Sequence, residues 1–201
     1  MKKTLILATL MLTALFINAQ NKGYTAPLNE SGEAEYKGEI FSAKNKEDLI
    51  KKVKNWFITS YVNYTKESII DGDIDKGEFT IRGTFKGRQE LNPFSGTNFD
   101  QITYLFNVKV EEGKIMYNIN SIKISNTYVG WGANVTNQTL EEKLNKVANA
   151  KAEIVKLQSQ KGTKKQIKEH QETIEDETKR LEDIIPPIEK IIAAFKADMS
   201  K

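Results

Sequence analysis

Residues 102–110 read Ile102-Thr103-Tyr104-Leu105-Phe106-Asn107-Val108-Lys109-Val110, and their reading decides the fold. Ile102, Tyr104, Phe106, Val108 and Val110 fall on one side of an extended chain, with Asn107 and Lys109 on the other. This is the period-two pattern of a strand with one buried face. Downstream, Glu112-Gly113 predicts a tight turn into a second strand, Lys114 to Ile124, completing a hairpin. In that strand the apolar phase runs through Ile115, Tyr117 and Ile119, then moves to Ile122 and Ile124. The odd step predicts a bulge near Asn120. Upstream, Glu78 to Phe85 puts Phe79, Ile81, Gly83 and Phe85 on one face and Thr80, Arg82 and Thr84 on the other. Ser68 to Gly72 reads as a short strand, and Lys86 to Phe99 as the longest loop.

Towards the N-terminus the period changes. Glu35 to Ser42 alternates as a first strand, and Leu49, Ile50, Val53, Trp56, Phe57 and Tyr61 then form the stripe of an amphipathic helix. Asn45 is placed to cap it, with Asp48 three residues on at the positive end of the macrodipole. The expectation is an α+β fold: an antiparallel sheet in the order β-α-β-β-β-β, covered on one face by a helix.

From residue 137 onward the chain turns helical. Thr139 with Glu142 forms a capping box, and Leu140, Leu144, Val147 and Ile154 make a narrow stripe. Gly162 marks a break. Ile167, Ile174, Leu181, Ile188 and Phe195 then recur every seven residues, a coiled-coil-like seam thinned by His170 and Glu177. Pro186-Pro187 must kink or restart the helix. The expected organisation is a signal peptide at 1–19, a flexible leader at 20–34, the α+β domain at 35–136 and a helical tail at 137–201.

The signal peptide rests on Lys2 and Lys3 before an apolar run from Leu5 to Ile17, with Ala19 as the small residue for cleavage. The apolar core is short of the roughly 20 residues that span a bilayer, so export with cleavage is preferred over an integral membrane protein. The chain has no cysteine, which rules out a lipid-modified N-terminal cysteine and any disulfide. The predicted location is the periplasm or exterior of a Gram-negative cell. Residues 20–137 hold 15 Lys+Arg against 15 Asp+Glu, and residues 138–201 hold 13 against 12. Neither segment has the basic excess that a phosphate backbone demands, so nucleic acid is not an expected partner.

Three groups of residues carry a resemblance: Tyr36-Lys37-Gly38-Glu39-Ile40, the helix ending Lys54-Asn55-Trp56-Phe57, and the Ile69-Ile70 and Ile81-Arg82-Gly83 strands around an acidic turn. The block 36–124 resembles a family of uncharacterised domains in exported Gram-negative proteins whose fold is similar to that of the TATA-binding protein (TBP-like). The resemblance implies a strand-helix-four-strand order followed by a further helix. It implies no activity, and a fold name does not imply DNA binding.

Candidate sites are few. Asp71 to Glu78 begins like a calcium loop, but Lys76 stands where the tight turn needs Gly and Arg82 where a bidentate Glu is required, so a solvated hairpin turn is the better account. His170 is the sole histidine, without cysteine or clustered carboxylates to complete a metal site, and no serine has the setting of a nucleophile. No enzyme and no cofactor is therefore expected. Trp131, in Gly130-Trp131-Gly132, reads either as an exposed anchor or as a lid on the sheet edge. The strand face carrying Arg82, Asn107, Lys109 and Asn118 either meets water or binds a ligand, with Arg82 and Lys109 as charge handles. Two functions follow as expectations: association with itself or a protein partner through the 137–201 tail, or a small-ligand module using the polar sheet face.

Overall fold

The computed structural model describes residues 23–61, 68–92, 96–130, 134–160 and 163–201, and in it the 102–110 stretch lies within the central strand of a six-stranded sheet. The elements are β1 (Tyr36–Phe41), α1 (Lys46–Ser60), β2 (Ile69–Asp73), β3 (Glu78–Asn92), β4 (Gly96–Glu111), β5 (Lys114–Gly130), β6 (Asn134–Thr139), α2 (Leu140–Ser159), α3 (Lys164–Glu182) and α4 (Ile185–Met199). The strands pair antiparallel in the order β1-β5-β4-β3-β2. Strand β6 lies on the same edge of β5 as β1, pairing with residues 123–128 where β1 pairs with 114–119. Met1–Ala19, where a signal peptide is expected, Trp131 and Gly162 lie outside the described residues.

The expected α+β architecture is present, with the turn at Gly113 (φ 67°) and the caps as read: Asn45 Oδ1 accepts from Asp48 N at 2.9 Å, and the Thr139–Glu142 box closes at both ends. The bulge is at Ser121 (φ 52°), where the β4–β5 register shifts between Thr103 and Leu105. It absorbs the odd step and keeps both Ile119 and Ile122 in the core.

Three readings change. The stretch 86–99 is not a loop, because β3 and β4 stay paired out to Asn92 and Gly96. Its polar residues hid it, and a second bulge between Lys86 and Gln89 turns Arg88 towards α3, where it meets Asp176 at 3.0 Å. Strand β6 was missed because Asn134 to Thr139 holds a single apolar side chain, Val135, so residue 137 falls inside a strand rather than at a boundary. Finally, residues 23–34 are pinned at their end: Leu28 bridges Ala34, Ala34 is fully buried, and its N–H donates to Glu141.

Strand length explains the layer of helices. The 16 and 17 residues of β4 and β5 extend roughly 55 Å at ~3.4 Å per residue. The 15 residues of α1 reach only about 22 Å. Helices α1 and α4 cover the proximal half, the end at the β4–β5 turn. There Trp56, Phe57, Phe106, Tyr117 and Phe195 stack edge to face, with Trp56 and Phe195 centroids 4.9 Å apart. The α2–α3 pair meets the distal half through Arg88–Asp176 and Arg180–Asp100. Gly83 is required beneath the Tyr61–Tyr104 hydroxyl pair (2.6 Å), since a Cβ there would collide with both rings' ends.

The seven-residue recurrence serves two cores. Ile174 packs with Ala150 and Ile154 in a small cluster between α2 and α3, whereas Leu181, Ile188 and Phe195 belong to the main core with the sheet. Helix α4 starts with Pro186 and Pro187 in its first turn, where no N–H is needed. It packs beside α1 on the sheet's core, and β6, α2 and α3 stand between it and the fifth strand along the chain.

Candidate functional site

One face of the sheet is consumed by the core, so chemistry facing outward sits on the other. There Lys37, Asn118, Asn107, Thr80 and Asp71 stand in one register row across β1, β5, β4, β3 and β2. The next row holds Glu39, Met116, Lys109 and Glu78. Alternation places these side chains opposite the buried Tyr36, Ile119, Phe106, Val108 and Phe79. The twisted sheet makes this proximal face concave, and the two rows line a cavity of about 600 Å³.

Hydrogen bonds order its floor. Thr80 Oγ1 donates to Asn107 Oδ1 at 2.8 Å, and Asn118 Nδ2 donates to Glu35 Oε1 at 2.7 Å. Asn118 Oδ1 is buried with no partner among the described residues. An unmet acceptor of this kind costs roughly 1–3 kcal/mol, so a donor brought to it is favoured. The rim is balanced. Lys37 lies 3.0 Å from Glu35 and, with the Asn118 amide, holds that carboxyl below its usual range. Lys109 does the same for Glu111, helped by Lys114, which also reaches Glu39 at 3.4 Å. The arrangement offers amide and hydroxyl groups between paired charges of both signs, suited to hydrogen-bonding a small polar molecule.

Of the five residues singled out in the sequence, Asn107, Lys109 and Asn118 line this cavity. Arg82 shares the face but stands one row further along β3, opposite Leu105, outside the lining. Trp131 lies outside the described residues. The missed members are Lys37, Glu39, Asp71, Glu78 and Met116. Lys37 and Glu39 were legible as the polar alternates of β1, but the register that sets them beside Asn118 and Met116 is tertiary.

The acidic stretch 71–78 spans the end of β2, the turn at 74–77 and the start of β3, with Asp73 Oδ1 accepting from Asp75 N at 2.9 Å and Asp75 paired to Lys54. His170 is half-buried on α3. Among the described residues no group of His, Cys, Asp and Glu is disposed to hold a metal ion. No helix among them is long and apolar enough to cross a membrane.

A separate polar cluster lies inside. Lys143, 1% exposed, donates to Gln138 Oε1 at 2.8 Å and pairs with Glu177 at 3.0 Å, and Glu177 also takes Lys146 at 3.1 Å. Nearby Asp100 is buried, accepting from Asn126 Nδ2 at 2.7 Å with Arg180 at 3.8 Å. These groups satisfy one another and tie α3 to α2 and the sheet.

No family model and no curated protein matches the chain. Among solved structures, a TBP-like protein from Parabacteroides distasonis superposes with TM-score 0.52 at 13% identity, over 88% of this chain and 97% of its own. A DUF4468 family protein from Bacteroides ovatus superposes with TM-score 0.43 at 16% identity, over 59% of this chain and 67% of its own. The first likeness spans more of this chain than the sheet and therefore reaches into the C-terminal helices.

Proposed function

We propose that this chain is an exported, non-enzymatic binding module that takes a small polar ligand in the concavity of its open sheet face. The observation that carries the reading is the register row Lys37-Asn118-Asn107-Thr80-Asp71, five polar side chains across five strands on the face opposite the apolar core. Rigid strands hold them, which is what a preorganised site needs. Export to the periplasm or exterior is supported by the order of Lys2, Lys3, the Leu5–Ile17 run and Ala19.

Association through residues 137–201 loses its motive. Its apolar seam is not free to meet a partner, since Leu181, Ile188, Ile192 and Phe195 are buried in the chain's own core. The alternative of an enzyme has no support in the cavity, whose side chains are amides, ammonium groups and carboxylates engaged with one another rather than a nucleophile beside a base.

The test is a thermal-shift screen of small polar metabolites and sugars. A true ligand at a hundred times its Kd stabilises by about 2.7 kcal/mol, and Asn107→Ala with Lys109→Ala removes that gain. A hit whose shift survives in the double variant, or a broad screen without hits, overturns the reading.

A further inference from the structure

Beyond the concavity, the open face continues for five register rows towards the distal end, and its character changes twice. The first three rows carry Arg82, then Lys123, then Lys86, separated by Leu105, Thr103 and Gln101, with no Asp or Glu among them. On the proximal half Lys37, Lys109 and Lys114 are all ion-paired, whereas Arg82, Lys86 and Lys123 form no ion pair among the described residues. The last two rows are apolar and hydroxylic except for Gln89, which stands opposite Phe99. Leu91, Thr97 and Val129 form the outermost, and Phe99, Thr127 and Val135 the one inside it. Leu91 is 74% exposed, Val129 52% and Val135 54%. The other large exposed apolar residues lie scattered on separate elements, Leu28, Phe41, Ile58, Ile70 and Val155. Single exposures of that kind need no explanation, but three converging on adjacent rows do.

We infer that the distal half of the open face docks on an anionic membrane surface, with Leu91, Val129 and Val135 entering the interface and Lys86, Lys123 and Arg82 meeting lipid headgroups. Apolar insertion combined with a basic surface is the pairing that gives peripheral membrane binding, each element being too weak alone. Charge complementarity selects this occupant over a second copy. A second copy brings the same cations and no Asp or Glu in those rows, whereas an anionic surface supplies the opposite sign. Nucleic acid fits poorly, because residues 20–137 carry 15 Lys+Arg against 15 Asp+Glu and lack the basic excess that a phosphate backbone demands. The face would also hold the proximal cavity close to the membrane, independently of what that cavity binds.

The test is flotation of the exported form with vesicles of phosphatidylglycerol and phosphatidylcholine, beside vesicles of phosphatidylcholine alone. The chain is expected to float with the anionic vesicles, and less as salt rises. Leu91→Ser with Val129→Ser and Val135→Ser is expected to lower binding at least tenfold. Each of Lys86→Ala and Lys123→Ala is expected to lower it roughly fivefold and to flatten the salt dependence. All five side chains sit on the open face away from the core, so an unchanged melting temperature confirms the variants fold. No flotation overturns the inference. So does binding that the serine variant leaves intact, which identifies an anion surface only, and so does a dimer of the parent chain that the serine variant converts to monomer.

Discussion

Helix α4 and the α2–α3 pair come from one C-terminal stretch with one seven-residue recurrence, yet they are held by different physics. In α4, Ile185, Ile188, Ile192 and Phe195 enter the main core, and Phe195 is fully buried against Trp56, Phe57, Phe106 and Tyr117. The α2–α3 pair has a small apolar cluster of Ala150, Ile154 and Ile174, and beside it the buried ion pair of Lys143 and Glu177. The contrast teaches that a recurring apolar position says a face is buried, not which surface buries it. The same spacing completes the sheet's core from Leu181 onward and zips a hairpin at Ile174.

The largest expected effect breaks the α4 side. Phe195→Ala removes a fully buried ring and is expected to cost about 3–5 kcal/mol. Chemical denaturation followed by circular dichroism measures it. If α4 were an appendage, the loss would stay below about 1 kcal/mol and the sheet's amide protection would be untouched.

On the hairpin side, Lys143→Met leaves Glu177 buried beside Lys146 alone, and breaking such a pair costs about 3–5 kcal/mol at most. Adding Glu177→Leu is expected to return most of that loss, because the cost lies in the orphaned charge rather than in the pair's net worth. A double variant no more stable than Lys143→Met would show that the ion pair itself holds α2 to α3. Hydrogen exchange places the damage: the Lys143→Met change should loosen α2 and α3 before the sheet.

Alkaline pH gives the smallest and most selective effect. Burial pushes the Tyr61 hydroxyl up to about 12 and that of Tyr104 up further, with the two hydroxyls bonded to each other. Unfolded tyrosine releases its proton near pH 10, so above that the unfolded state holds fewer protons than the folded one, and stability falls as pH rises towards 12. The slope is on the order of 1 kcal/mol per pH unit, and it should act on the sheet and α1. Tyr61→Phe is expected to make the fall shallower while lowering stability at neutral pH, where the hydroxyl pair is intact. A fall of equal steepness in that variant would assign the alkaline sensitivity elsewhere.

Much of the fold was legible because burial on one face leaves a periodic mark. The β4 stretch 102–110, the helix stripe from Leu49 to Phe57, the turn at Glu112-Gly113 and the bulge beside Asn120 were each readable as a period or a break in one. Asn107, Lys109 and Asn118 were likewise readable as the polar side of that alternation. Strand β6 and the distal arms of β3 and β4 were not, since their side chains are polar or face outward on both counts and the backbone pairing that defines them leaves no mark in residue type.

The sequence by itself determined which faces are buried, where helices begin and where strands turn, because these depend on residues near one another along the chain. Only the tertiary structure decided that Lys37 from β1 stands beside Asn118 from β5, that Lys143 meets Glu177, and that Phe195 lies against Trp56. Those contacts join residues 34 to 139 positions apart. Their partners are chosen by strand order, register and the length of sheet left for helices to cover, quantities that no local pattern carries.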